Sequence, residues 1–177
     1  LVIRAYTGDY AAILLDLPPG ESEWTLQPLL AANKVLIVAR PSLDQLHAVA
    51  HTAKLITQRL AGQHQIDRQA VFTVLNFRHK GSAFTPNSFA AAGAQYSAKP
   101  GPMHMGGWFP PVLASFEQDE QVTRAQDQQR PVADLSESFA RSIQVLADAF
   151  FAPGGNGMAR PGQLRRILPG LSIRVRK

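Results

Sequence analysis

The sequence predicts an α/β protein with a mostly parallel sheet. Three short apolar runs, at 13–15, 34–39 and 70–75, have the length of buried strands. Between the second and the third run, at 43–60, apolar residues recur at helical spacing. Strands and helices that alternate in this way form parallel units with right-handed crossovers. Helices are then expected to cover both faces of the sheet, which gives a three-layer α/β/α architecture.

The first apolar run is predicted to be a central strand. Pro18 and Pro19 cannot donate hydrogen bonds to a neighbouring strand, so this strand is expected to end at about Asp16. Asp16 would then lie at the carboxyl end of the strand, where open α/β sheets bind their ligands. The alternative for this residue is an Asp that only caps a loop.

A long helix is predicted after the second strand. Pro41 breaks the strand, and Ser42 with Gln45 matches a capping box. The apolar residues that follow repeat at helical spacing as far as Gly62. The third strand is expected to end at Asn76.

The remaining elements are two further helices, a fourth strand and a loop. A helix is expected to begin after Thr85, a strand to run over 111–116, and a last helix to begin after Ser136. A short helix is also expected after Gly20. The stretch 99–111 is rich in Gly and Pro and is predicted to be a loop. Its methionine and aromatic side chains form either a partner surface or the packing of the loop on itself.

One string of residues resembles a known family. DYAAILLDLPPG, at 9–20, resembles the Walker B strand and the following loop of the ParA/MinD family of P-loop ATPases. VLIVARPSLDQLHAVAHTAKLI and VFTVLN are similar to the strands and the long helix that come next in that family, and the resemblance covers about 9–151. Two positions depart from the family, because Glu117 stands where it has Pro and Gln129 where it has Gly.

The resemblance implies a site and its cofactors. It implies a P-loop NTPase-like domain over 1–152 that uses ATP and Mg²⁺. Asp16 would be the catalytic residue that supports the metal through water, in keeping with the preference of Mg²⁺ for one or two carboxylates beside substrate phosphates. Asn76 and the backbone around Gln118 and Asp119 would lie beside the adenine.

The positive charge of the chain is concentrated in its last residues. The formal net charge is +5, and no acidic residue follows residue 159. The segment 153–177 therefore reads as a basic tail after a glycine-rich hinge, suited to an anionic membrane or to DNA phosphates. A solvated tail or an edge strand is the alternative. The cations of this tail are Arg160, Arg165, Arg166, Arg174, Arg176 and Lys177.

The sequence lacks the phosphate loop that an ATPase of this family needs. No G-x-x-x-x-G-K-[ST] string and no variant with an extra Lys occurs in it. The loop is expected upstream of Leu1, because the chain begins without Met, or else it has been lost. The chain alone is not expected to hydrolyse ATP.

The family resemblance implies a positioning switch, and two other functions stay open. Such proteins form homodimers around ATP, bind DNA or a membrane, and release that surface when a partner protein stimulates hydrolysis. The expectation is a cytoplasmic protein that acts at the membrane or the nucleoid, in the partition branch or in the pilus-localising TadZ/CpaE branch. One alternative is a degenerate, non-catalytic scaffold that binds a partner through its long loop and basic tail. A role in metal-cluster delivery is disfavoured because the chain has no Cys.

Overall fold

The protein divides into two compact units. The computed structural model describes residues 13–20, 22–29, 32–59, 66–102 and 104–151 of the 177-residue chain. The larger unit is Leu17–Gln118, and the described residues of the smaller one are 13–16 and 119–151. Within the described ranges, no helix has the length and apolar character needed to cross a membrane.

A three-stranded parallel sheet forms the centre of the larger unit, which confirms the predicted α/β class. Its strands are β1 (Val35–Ala39), β2 (Val71–Arg78) and β3 (Val112–Glu117), and they lie side by side in chain order. Short apolar segments separated by helices give this arrangement, because parallel strands need a long crossover between them.

Among the described residues, three α-helices belong to the same unit. They are α1 (Glu23–Leu29), α2 (Leu43–Lys54) and α3 (Pro86–Ala98), and α2 continues as a π-helical turn over Leu55–Arg59. The positions of all three agree with the sequence prediction, although the predicted end of the long helix at Gly62 lies outside the described residues.

The helix caps differ from one helix to the next. The Thr85 hydroxyl accepts a hydrogen bond from the Ser88 backbone N–H, and the Ser88 side chain accepts one from the Thr85 N–H, so α3 begins with a full capping box. The capping box predicted at Ser42 is wrong, because the Ser42 side chain makes no capping bond to α2. The Ser42 hydroxyl instead lowers the pKa of Asp44 by donating to its carboxylate.

Two apolar clusters hold the helices on the sheet. The first is centred on Phe89 of α3 and joins it to α2 and to the ends of β1 and β2. The second lies near the beginning of the same strands and includes α1. Their buried members are Ala39, Leu46, Val49, Ala50, Leu75, Phe89 and Phe109 in the first, and Leu29, Val35, Ile56, Ile66 and Val71 in the second.

The strand predicted at the first apolar run is wrong for the described residues. Residues 13–17 have no strand structure, and the side chains of Ile13, Leu14 and Leu15 are exposed, Leu14 to 80%. An apolar run becomes a central strand only when other strands pair with it. Among the described residues the sheet consists of β1, β2 and β3 alone, so nothing pairs with this run.

The third predicted strand is longer than expected. It continues through Asn76 to Arg78, because Arg78 pairs with Glu117 at the end of β3. Arg78 is therefore a residue of the strand, and its guanidinium forms an ion pair with the Glu117 carboxylate.

The long loop packs on its own unit. Met105 and Phe109 are buried, and Trp108 lies beside the second cluster with the Arg68 guanidinium 5.2 Å from the centroid of its ring. The Met105 backbone N–H donates to the Ser97 carbonyl at 2.8 Å. Of the two interpretations of this loop, these residues agree with packing and not with a partner surface, but they pack on the rest of the unit and not only on one another.

The smaller unit contains two described helices. They are α4 (Gln121–Asp127) and α5 (Glu137–Phe151), and Ser136 caps α5 by accepting a hydrogen bond from the Phe139 N–H at 3.1 Å, as predicted. The basic tail lies outside the described residues.

Candidate functional site

A cleft of about 1100 Å³ opens at the carboxyl ends of the three strands. Parallel strands joined by crossovers leave the loops that follow them at one edge of the sheet, and this edge is where open α/β sheets bind ligands. Its walls come from the end of β1 and the start of α2, from the residues that end and follow β2, and from Gln118 after β3. The lining residues are Val38–Ser42, Asp44, Gln45, Asn76, Phe77, His79, Gly81, Ser82 and Gln118.

A β-bulge shapes the middle of this cleft. Leu75 pairs with Ser115 and Arg78 pairs with Glu117, so two residues of β2, Asn76 and Phe77, stand opposite one residue of β3. Bulges are rare in parallel pairs, and they redirect side chains next to active sites.

Phe77 adopts a backbone conformation that phenylalanine rarely takes. Its φ is +56°, in the left-handed region, and its side chain is 46% exposed inside the cleft. For a bulky residue this conformation costs about 1–3 kcal/mol, and such outliers are concentrated at functional sites. The Asn76 side-chain oxygen accepts a hydrogen bond from the Phe77 N–H at 2.9 Å. This bond replaces the regular strand pairing that the bulge interrupts at Phe77.

Arg40 covers part of the Phe77 ring. Its guanidinium carbon lies 5.5 Å from the ring centroid, within the range of a cation–π contact. Arg40 follows β1 directly, so the contact joins the ends of two neighbouring strands.

The charges of the cleft are few and of both signs. Besides Arg40, the cleft is lined by Asp44. The hydrogen bond from the Ser42 hydroxyl is the main cause that lowers the pKa of Asp44. A cleft with one guanidinium and one carboxylate is suited to a largely uncharged group, and it does not resemble a cradle for several phosphates.

The structure brings together two of the predicted site residues. Asn76 and Gln118 both line the cleft, and the Gln118 backbone N–H donates to the Arg78 carbonyl at 3.0 Å, which extends the pairing of β2 with β3. Since the Asn76 oxygen is engaged by Phe77, its NH₂ group is the part of this amide that offers donors.

Asp119 has a local structural role in the smaller unit. Its carboxylate accepts a hydrogen bond from the Gln121 backbone N–H at 2.9 Å at the start of α4. The Ser136 hydroxyl is the main cause that lowers the pKa of Asp119, and the Gln121 N–H is the second.

Replacement of Ser136 by Ala is expected to raise the pKa of Asp119 toward its ordinary value. An Asp with a lowered pKa stabilises the fold above the unfolded value of about 3.9 and loses that contribution as the pH falls through the folded pKa. In the variant this contribution should therefore be smaller, and the acid-side loss should end at a higher pH, because the unfolded pKa at which the loss begins is unchanged. NMR titration of the side-chain carboxyl carbons measures this, with Asp44 as the internal control, since its own partner is Ser42. An unchanged Asp119 titration would contradict the assigned cause.

Asp16 is exposed and lies outside any strand. Among the residues that the structure describes, no three His, Cys, Asp or Glu side chains are grouped closely enough to hold a metal ion. A lone carboxylate suits a Mg²⁺ ion that phosphates and waters mainly hold, and it does not suit a site made of protein ligands alone. The predicted tail cations, Arg160 to Lys177, lie beyond the described residues.

Sequence reasoning missed Arg40 and Phe77 as cleft residues. The position of Arg40 immediately after a predicted strand was a usable signal, because such positions meet at one edge of a parallel sheet. The sequence carries no signal for the bulge that exposes Phe77, since a bulge depends on how two distant strands align.

No protein-family model, curated protein or solved structure matches this chain.

Proposed function

We propose that the protein is the Walker B-containing part of an ATP-dependent positioning switch of the ParA/MinD type. In this proposal the parallel sheet is part of a three-layer P-loop domain. ATP-driven homodimers bind DNA or a membrane surface through the basic tail, and a partner protein stimulates hydrolysis. The observation that carries the proposal is the cleft in which Asn76 and Gln118, two residues expected beside the adenine, lie together.

The cleft fits the base of a nucleotide better than its phosphates. Amide side chains at Asn76 and Gln118 provide donors and acceptors for the edge of a purine, and the single Arg40 leaves little positive charge for a triphosphate. The phosphates would need a phosphate-binding loop, which supplies backbone N–H groups, and this sequence contains no G-x-x-x-x-G-K-[ST] string. When bound, Mg²⁺ would neutralise charge on the phosphates, with Asp16 as the proposed supporting carboxylate.

The backbone at Gln129, directly after the C-cap of α4, is compatible with the family resemblance. The residue has a φ of +51°, a conformation that glycine adopts without cost. The family has Gly at the matching position. Gln129 therefore differs from the family in residue type, but its backbone has a conformation that suits glycine.

Binding of Mg²⁺-ATP to the intact gene product, measured by equilibrium dialysis, tests this function. Micromolar binding is expected, and Asn76→Ala is expected to weaken it about tenfold, since one hydrogen bond to the base is lost. Asn87→Ala is the matched control, because Asn87 is an exposed asparagine in the first turn of α3 and does not line the cleft.

Two outcomes of this experiment would contradict the proposal. Equal weakening by both asparagine substitutions would show that the loss is unspecific and would remove Asn76 from the site. No binding of ATP by the folded intact protein would overturn the ATPase reading as a whole.

A non-catalytic scaffold is the second candidate function. Exposed apolar side chains favour it, because Val38 and Phe77 line the cleft and Leu43 begins the adjacent helix, and all three are largely exposed. A protein partner would cover such residues. The buried Met105 and Phe109 leave the long loop with less apolar surface for this role than its sequence suggests. Dialysis that shows no nucleotide binding would favour this candidate.

A further inference from the structure

We propose that Phe77 is the stacking platform for the purine base in this cleft, with Arg40 as the residue that positions its ring. This inference rests on the proposed nucleotide function and deepens it. Phe77 would contact the face of the base, whereas the amides of Asn76 and Gln118 would contact its edge.

Exposure of the ring is the first reason. Phe77 is 46% exposed, although the same unit has a buried cluster in which Phe89 and Phe109 pack edge to face with centroids 5.9 Å apart. An aromatic ring left in a cleft offers a π-face to any planar ligand, and stacking tolerates every base because each has a π-face of its own.

The backbone at the ring is the second reason. A regular strand would turn successive side chains to alternate faces of the sheet. The bulge and the left-handed conformation of Phe77 instead place its ring among the residues that line the cleft. A residue with no role at this point would be expected to relax to a regular pairing, since the conformation is unfavourable for Phe.

The contact with Arg40 is the third reason. The guanidinium over the ring restrains the ring orientation from one side, and a base that stacks on the remaining exposed part of the ring would meet a pre-oriented surface. Preorganisation of this kind reduces the ordering cost of binding. The mixed charge of the cleft agrees with a base as the occupant.

Substitutions of Phe77 test the proposal on the intact gene product. Phe77→Leu retains an apolar side chain and removes the π-face, so the affinity for Mg²⁺-ATP is expected to fall about 5- to 150-fold. Phe77→Trp is expected to retain binding, with the new indole emission quenched as ATP is added. Phe84→Leu is the matched control, because Phe84 packs edge-on against Phe89 and does not line the cleft, and it is expected to leave the affinity within about twofold.

Inorganic tripolyphosphate, which has no base, separates stacking from a general disturbance of the site. If the parent protein binds it, Phe77→Leu is expected to leave that affinity unchanged. Arg40→Lys keeps the charge and loses the planar guanidinium, and an intermediate loss of ATP affinity is expected from it.

Three results would overturn the proposal. If Phe77→Leu bound ATP with the affinity of the parent protein, the stacking role would be contradicted, but the proposed ATPase function would not be affected. An equal loss of tripolyphosphate binding in Phe77→Leu would show that the residue acts through the structure of the site. Absence of ATP binding in the parent protein would remove the proposed function first, and the platform with it.

Discussion

Replacement of Phe89 by Ala is expected to lower the free energy of unfolding by about 3–5 kcal/mol. The Phe89 side chain is 0% exposed and packs edge-on against Phe84 and Phe109, with centroid distances of 5.5 and 5.9 Å. The cavity left by the ring would lie in the cluster that joins α2, α3 and the sheet, where neighbouring elements can collapse only partly. Urea unfolding followed by circular dichroism measures the loss.

Phe77→Ala is the control for that measurement. It removes the same atoms from a ring that is 46% exposed, so the expected loss of stability is about 1 kcal/mol or less. If both substitutions lowered the free energy of unfolding equally, the stability of the first apolar cluster would not depend on Phe89 in the way proposed. A fall in the slope of the unfolding curve for Phe89→Ala would instead indicate a change in cooperativity.

The helices could be predicted because their signals are local. Thr85 and Pro86 mark the start of α3, and Ser136 marks the start of α5, within a few residues of the elements they begin. The strands β1, β2 and β3 were also predictable, since short apolar runs between helices have few alternatives in a chain of this length.

The first apolar run shows where this reasoning fails. Ile13, Leu14 and Leu15 have the composition of a buried strand, but they carry no alternation that fixes a face, and they are exposed in the structure. Whether such a run pairs depends on the other strands of the sheet, and local sequence contains no information about them. The cap predicted at Ser42 failed for a related reason, since the hydroxyl had a competing acceptor in Asp44.

The candidate site could be predicted only in part. Asn76 and Gln118 were identified only through the family resemblance, and the structure places both of them in the cleft at the carboxyl ends of the strands. The orientation of Phe77 was not predictable, because it depends on the alignment of β2 with a strand about 40 residues further along the chain. The ion pair between Arg78 and Glu117 arises from the same alignment.

Replacement of Gly93 by Val is expected to lower the free energy of unfolding by about 3 kcal/mol, at the upper end of the range for overpacking. A Cβ atom at Gly93 would lie 2.5 Å from three atoms of the Phe109 ring, closer than real Cβ contacts allow. Phe109 is buried and packs against Phe89, so its ring has little room to move away. The gain in helix propensity from Gly to Val is below about 0.5 kcal/mol and does not offset this clash. Thermal and urea unfolding measure the effect.

Two further variants determine whether the clash with Phe109 is the cause. Ala91→Val places the same side chain on an exposed position of α3, and it is expected to cost only about 0.5 kcal/mol, which is the helix penalty of a β-branched residue. In the double variant Gly93→Val with Phe109→Ala, the two losses should be less than additive by about 1–3 kcal/mol, because the truncated ring leaves space for the new side chain. Full additivity would contradict the close approach of Phe109 to α3. Phe109 lies at the end of the long loop, and its ring packs against α3. Full additivity would therefore also mean that this ring does not hold the loop on the helix.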